Sequence, residues 1–318
     1  MSLSEAELEE HCKRIITSSR ILDKIVVLCE GDIVKVNGRP SPQAYNSMEK
    51  MPDANFYHAC IPRWWNRQCT PKFFNCGDRQ DVLNTFFSIL DLHNQNPANS
   101  YLSPHQLFAI VDLDIQIASI KNDYTFKDTD SIFYNLYEKA NINEGNCINH
   151  RIWVTGLVHK EAYFLTPDIQ SVLDNYSNTP VYQDSVVNLE QIYLDIVDSL
   201  HEDRDLQDNL EKTFNRINYC SNLDFDNITN FKNSWKLNFI NSQNNLDKNI
   251  LSLALLTIAK AKKYWKQIQP PQAWTSSERA FRDVLTLEIG KFYSEQECDA
   301  KNHIPFFFKI LYSFIDQE

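Results

Sequence analysis

Two short apolar runs, each rich in β-forming residues and each closing abruptly on acid, constrain this chain more than any other feature. Ile25-Val26-Val27-Leu28-Cys29 stops at Glu30-Gly31-Asp32, and Leu107-Phe108-Ala109-Ile110-Val111 stops at Asp112-Leu113-Asp114. An unbroken apolar run of this length is the pattern of a strand buried on both faces, as in parallel sheets. Arg151 to Leu157 forms a third such run. Helix-period stretches accompany them: Leu8, Cys12, Ile15 and Ile16 behind a Ser4/Glu7 capping box, Val82 to Leu90 after Gly77, and Ile132 to Lys139. Strands alternating with helices predict an α/β fold, with a mostly parallel sheet flanked by helices and a ligand site at the carboxyl ends of its strands.

At 318 residues the chain exceeds the usual single domain. Residues 1–180 read as the α/β domain, with a short N-terminal helix and an irregular insertion at about 33–74. In that insertion Gly38-Arg39-Pro40 marks a turn, Pro52, Pro62 and Pro71 interrupt regular structure, and short extended pieces are expected at Asn55 to Ala59 and Lys72 to Phe74. Residues 185–318 read as a mainly α-helical domain. Its expected helices cover Val186 to Leu200, Leu206 to Ile217, Leu246 to Gln267, Ser276 to Tyr293 entered by a Thr275/Glu278 capping box, and Pro305 to Ile315.

Composition narrows the function classes. No run of eighteen apolar residues occurs and the first ten residues are polar and acidic, so neither a membrane span nor a secretory signal is expected and a cytoplasmic protein is. Eight cysteines lack any CxxC pair and read as reduced thiols; Cys60, Cys69 and Cys76 with His58 are spaced unlike the close pairs of structural zinc sites. A net charge of −11 argues against coating nucleic acid through bulk electrostatics, so any such contact must be local.

Glu30 ends one buried run, and alternation places Asp112 and Asp114 on one side of another. Carboxylates gathered at ~4 Å repel by roughly 4 kcal/mol per pair at an effective dielectric near 20. Mg²⁺ or Mn²⁺ would resolve that conflict, because a hard divalent cation accepts one or two carboxylates together with waters and phosphate oxygens. The bland alternative is three solvated strand-end acids. Of only six glycines, Gly31 follows the first acid and Gly77 precedes a helix, positions where a tight turn or close approach of a phosphate would need them.

An apolar strand closing in Cys29-Glu30-Gly31, a helix entry at Gly77 and a strand closing in Asp112-Leu113-Asp114 together resemble TOPRIM domains, over about residues 20 to 170. That family includes topoisomerases, DnaG-type primases and the overcoming-lysogenization-defect nucleases of antiphage defence. The resemblance implies a Rossmann-like sheet, Glu30 as general acid or base and metal ligand, and Asp112 and Asp114 as metal ligands. His159-Lys160-Glu161 through Leu165 resembles the acidic segment after the fourth strand of defence-type members, which makes Glu161 a candidate fourth carboxylate. Lys160 or His159 could also stabilise a phosphate. No tyrosine sits in a topoisomerase-like setting, so water is the expected nucleophile.

Local cations suggest where nucleic acid would touch. Arg79 stands at a helix start, and Arg63-Trp64-Trp65-Asn66-Arg67 joins cations to aromatics as in sites that grip single-stranded bases. A packed aromatic core is the competing explanation. Lys260 to Lys266 forms a second basic stretch, either a contact for DNA, RNA or an acidic partner, or a solvated helix end. The expectation is a Mg²⁺-dependent endonuclease of DNA or RNA, an effector of prokaryotic antiphage defence. The resemblance to stand-alone TOPRIM subunits implies a separate ABC-type ATPase partner, since this chain has no GxxxxGK[ST] motif. The helical half is expected to contact that partner or a second copy in a homodimer. The alternatives are an inactive TOPRIM nucleic-acid-binding or scaffold subunit and, less favoured without a zinc module, a primase-like nucleotidyltransferase.

Overall fold

A computed structural model describes residues 3–33, 51–121, 123–138, 149–298 and 302–315. The chain forms two compact units, Met1–Val111 with Ala118–Thr155 and Gly290–Glu318, and Asp112–Ile117 with Gly156–Ile289. This is not the division at 180–185 that the change in sequence character suggests. The last residues return to the first unit because their aromatic side chains pack on its sheet.

The first unit begins with α1 (Glu5–Ile16), whose capping box between Ser4 and Glu7 is formed as expected. It then contains β1 (Val26–Cys29), α2 (Pro52–Ala59), β2 (Lys72–Asn75), α3 (Arg79–Gln95), and the start of β3 (Leu107–Leu113). The short α4 (Thr129–Phe133) precedes β4 (Ile152–Val158). The sheet order is β2-β1-β3-β4, with β1 parallel to both neighbours, which is the α/β architecture expected. The chain adds β2 on one side of β1 and then crosses to add β3 on the other, so the topological switch point lies between β1 and β3.

Register explains the packing. Val27 stands opposite Phe73 on one side and Phe108 on the other, so the three side chains share a row and a face. A later helix in the same unit, His303–Ser313, and the Phe314 that follows it cover that row, with Phe308 6.1 Å from Phe73 and Phe314 4.7 Å from Phe108, while Phe307 lies 5.3 Å from Trp153 of β4. Each fully buried aromatic side chain contributes on the order of 2–3 kcal/mol of transfer free energy.

Within the expected insertion, Lys72–Asn75 is a strand, and it forms the edge of the main sheet. Asn55 to Ala59 is helical rather than extended, because Pro52 sits in the first turn, where its fixed φ favours helix entry, and Ala54, Phe56 and Tyr57 turn inward. The turn at Gly38-Arg39-Pro40 lies outside the described residues.

Beyond the ends of β3 and β4, the second unit is mainly helical with one hairpin, β5–β6 (Val181–Tyr182 and Ser185–Val186), so Val186 belongs to a strand and not to the helix expected there. Its helices are α5 (Ile169–Asn175), α6 (Leu189–Asp198), α7 (Arg204–Asp208), α8 (Leu210–Asn215), α9 (Ile228–Asn241), α10 (Asn245–Ile258) and α11 (Lys262–Gln267). The helix expected from Leu246 to Gln267 is thus two. It breaks at Ala259, which is extended, and the following Lys260 is drawn to Asp203 and Asp205. Helix α12 (Glu278–Ser294) starts later than expected, with the Ser277 hydroxyl, not Thr275, accepting the Ala280 N–H. The helix of residues 303–313 is α13. Among the described residues no helix is long and apolar enough to cross a membrane.

Two histidines of the first unit, His11 and His150, are almost wholly buried. Burial lowers both pKa values to about 4, and the charge of Arg14 adds to the effect on His11. Unfolding raises each to near 6.5, so the unfolded chain binds more protons between those values. Stability is therefore full above about pH 6.5 and falls as pH drops toward 4. Urea midpoints should decline between pH 6.5 and 5, before ordinary carboxylates titrate, and decline less in His11→Leu; a flat profile would contradict this.

Candidate active site at the ends of the third and fourth strands

β3 is buried along its whole length, yet its sixth residue is a carboxylate. Asp112 is 8% exposed, and its Oδ2 accepts the main-chain N–H of Lys160 at 3.0 Å. A buried carboxylate without such a donor would cost several kcal/mol. Two residues on, Asp114 Oδ1 accepts the N–H of Ile115 at 2.6 Å and lies 3.6 Å from His159 Nε2. The Asp114 carbonyl accepts a bond of 2.8 Å from Arg216 Nη2, which fixes the backbone where β3 ends.

His159 follows β4 directly and has φ +62°, a conformation rare in residues other than glycine. Two main-chain bonds hold it there: its N–H donates to Leu113 O at 2.9 Å, and its carbonyl accepts the Ala162 N–H at 3.1 Å. That second bond opens the 3₁₀ turn Lys160–Leu165. Burial pulls the His159 pKa down, but the bond to Asp114 and the charges of Asp112, Asp114 and Glu161 outweigh it and raise the pKa above the ordinary value. The next carboxylate, Glu161, is also largely buried and pairs with Lys262 at 3.4 Å. Burial would raise its pKa, yet the charges of Lys160 and Lys262 win and hold it below the ordinary range.

Asp112, Asp114, His159, Lys160 and Glu161 therefore gather in the second unit. The strand-end acids were legible in the sequence, and the structure brings Lys160 and His159 beside them. The pairing of His159 with Asp114, the Arg216 bond and the pairing of Lys262 with Glu161 were not, because each joins segments distant in sequence. Lys160 reaches Asp112 through its amide, a role its side chain does not announce.

The other expected residues lie in the first unit. Glu30, half-buried, follows β1, and Gly31 and Gly77 bond to each other through paired N–H···O contacts of 2.9 Å. Both glycines have positive φ, and the room they leave is filled from within. A Cβ on Gly31 would lie 2.3 Å from Asp53 Oδ2, and one on Gly77 2.4 Å from Asp81 Oδ2. Arg79 opens α3, whose first turn is closed by reciprocal bonds between Asp78 and Asp81. Arg63 pairs with Glu295, and Arg67 is exposed on a short 3₁₀ turn. Of the tryptophans between them, Trp65 is buried against Phe308 and Tyr312, while Trp64 remains 51% exposed. The packed-core alternative therefore describes Trp65.

Among the described residues no three or more His, Cys, Asp or Glu side chains converge as a ready cage for a metal ion. Asp112 and Asp114 still match the donor chemistry of Mg²⁺, which takes one or two carboxylates and fills its remaining positions with water and phosphate oxygens.

If Asp114 holds the His159 proton, Asp114→Asn should leave burial as the dominant influence and bring the imidazole pKa down to or below its ordinary value. NMR titration of the His159 ring would show this, whereas an unchanged, raised pKa would contradict the pairing. No family model, curated protein or solved structure matches the chain, so its functional reading rests on the chemistry of these residues.

Proposed function

We propose that the chain is a metal-dependent nuclease hydrolysing phosphodiester bonds of DNA or RNA, with Asp112 and Asp114 as the carboxylates that hold Mg²⁺ or Mn²⁺. The observation that carries this reading is a carboxylate pair at the carboxyl end of a fully buried central strand, positioned by the Lys160 amide and the Arg216 guanidinium. A divalent cation supplies charge stabilisation for phosphoryl oxygens and acidifies a water. Around it, the Lys160 amide orients Asp112, and His159 shares Asp114. Glu30 takes the acid–base role that the TOPRIM resemblance implies. The same resemblance extends the proposal to an antiphage effector working beside a separate ABC-type ATPase.

One specific observation favours a second reading, an inactive nucleic-acid-binding or scaffold subunit. The carboxylates are compensated without a metal: His159 on Asp114, the Lys160 amide on Asp112 and Lys262 on Glu161. The repulsion that would demand a cation is largely answered by the chain's own cations and donors.

Cleavage assays on single- and double-stranded DNA and RNA, with Mg²⁺ or EDTA and with or without an ABC-type ATPase, separate the two. The purified chain should cleave in Mg²⁺. Asp112→Asn/Asp114→Asn and Glu30→Gln should each lose at least about 10²-fold in rate while circular dichroism shows them still folded. Cleavage by these variants at the wild-type rate would contradict the assignment, and substrate binding without cleavage by wild type would favour the second reading.

A further inference from the structure

The basic stretch that follows α10 forms one wall of a cleft. α11 is anchored by Tyr264, whose hydroxyl donates to Asp195 O at 2.9 Å, and by Trp265, 4.8 Å from the Phe164 ring. With those two side chains turned inward, Lys262, Lys263 and Lys266 occupy the outward side of the same helix. They line a cavity of about 540 Å³ together with Glu202 to Asp205 and an apolar set that includes Ile196, Leu200 and Ala259. His159, whose Nε2 lies 3.6 Å from Asp114, also lines it and joins the cleft to the aspartate pair.

Charge in the cleft is unevenly matched. Lys260 is held by Asp203 and Asp205, Lys263 lies 3.5 Å from Glu202, and Lys262 lies 3.4 Å from Glu161. Arg204 and Lys266 also line the cleft, are exposed, and have no carboxylate partner among the described residues. A chain of net charge −11 thus presents two uncommitted cations across one concave surface. The volume is that of a pocket for a ligand of drug-like or nucleotide size. A duplex presents its phosphates on a convex rod with the bases stacked inside, and a cleft with an apolar lining has no use for that shape. A single strand can set its phosphates against the cations and a sugar or base against the apolar lining.

We propose that this cleft is the seat of a single-stranded nucleic acid, with Arg204 and Lys266 each neutralising one phosphate and the strand leading past His159 to Asp112 and Asp114. The assignment rests on the nuclease reading for its direction, but the binding itself requires neither metal nor turnover. It makes the enzyme selective for single strands and explains how so acidic a chain engages a polyanion.

Fluorescence anisotropy with labelled single-stranded oligodeoxynucleotide, oligoribonucleotide and duplex, titrated in EDTA over a range of salt, tests this on the full chain. Wild type should prefer a single strand over duplex, and two neutralised phosphates should give a slope of log K against log salt of about −1.4. Arg204→Gln/Lys266→Gln should weaken binding by about tenfold or more and flatten the slope, while Arg204→Lys/Lys266→Arg should restore both. Melting temperatures of these surface variants serve as the folding control. Equal binding by wild type and the Gln variant, preference for duplex, no binding, or displacement by polyglutamate as effective as by unlabelled oligonucleotide would each overturn the proposal. Salt-dependent binding that relies on Arg204 and Lys266 without cleavage in Mg²⁺ would sustain the cleft and remove the nuclease. Cleavage indifferent to the Gln substitutions would do the reverse.

Discussion

The hydrogen bond from the Lys160 amide to Asp112 is the interaction on which the candidate site depends. β3 is apolar and buried throughout, and a carboxylate near its end is tolerable only if something replaces the water it has lost. The replacement comes from the turn after β4. The bond from His159 N–H to Leu113 O sets that turn in register with β3, and the positive φ of His159 then aims the next amide at Asp112. A residue in a sparsely populated conformation costs on the order of 1–3 kcal/mol, and it persists here because the bonds on either side over-determine it.

Charge compensation follows from the same geometry. Once the turn is in place, His159 faces Asp114 and Glu161 faces Lys262, so each acid meets a cation or a donor instead of another acid. A divalent cation at the proposed site would therefore compete with the His159 proton for Asp114. Metal affinity at these carboxylates should accordingly rise with pH through the range in which His159 titrates.

Much of this organisation was legible in the sequence, for reasons that can be traced to particular residues. β1, β3 and β4 announced themselves because strands buried on both faces must be apolar at every position, and the capping box of Ser4 and Glu7 was formed where its spacing placed it. Asn55 to Ala59 misled because local polarity says little once Phe56 and Tyr57 find a core to enter. The return of α13 to the first unit was hidden because nothing in Phe306, Phe307, Phe308 and Phe314 names Trp153, Phe73 or Phe108 as partners. The same limit applies at the site: Asp112 and Asp114 stood out as acids that end an apolar run, whereas the identity of their partners depends on a register between strands that are distant in sequence.

The divalent-metal centre proposed at Asp112 and Asp114, completed by phosphate, can be read by electron paramagnetic resonance of Mn²⁺ with the full chain and a hydrolysis-resistant phosphorothioate oligonucleotide. One Mn²⁺ per chain should lose its free-ion signal in wild type but not in Asp112→Asn/Asp114→Asn. Equal loss of signal in both proteins, or none in either, would contradict the claim.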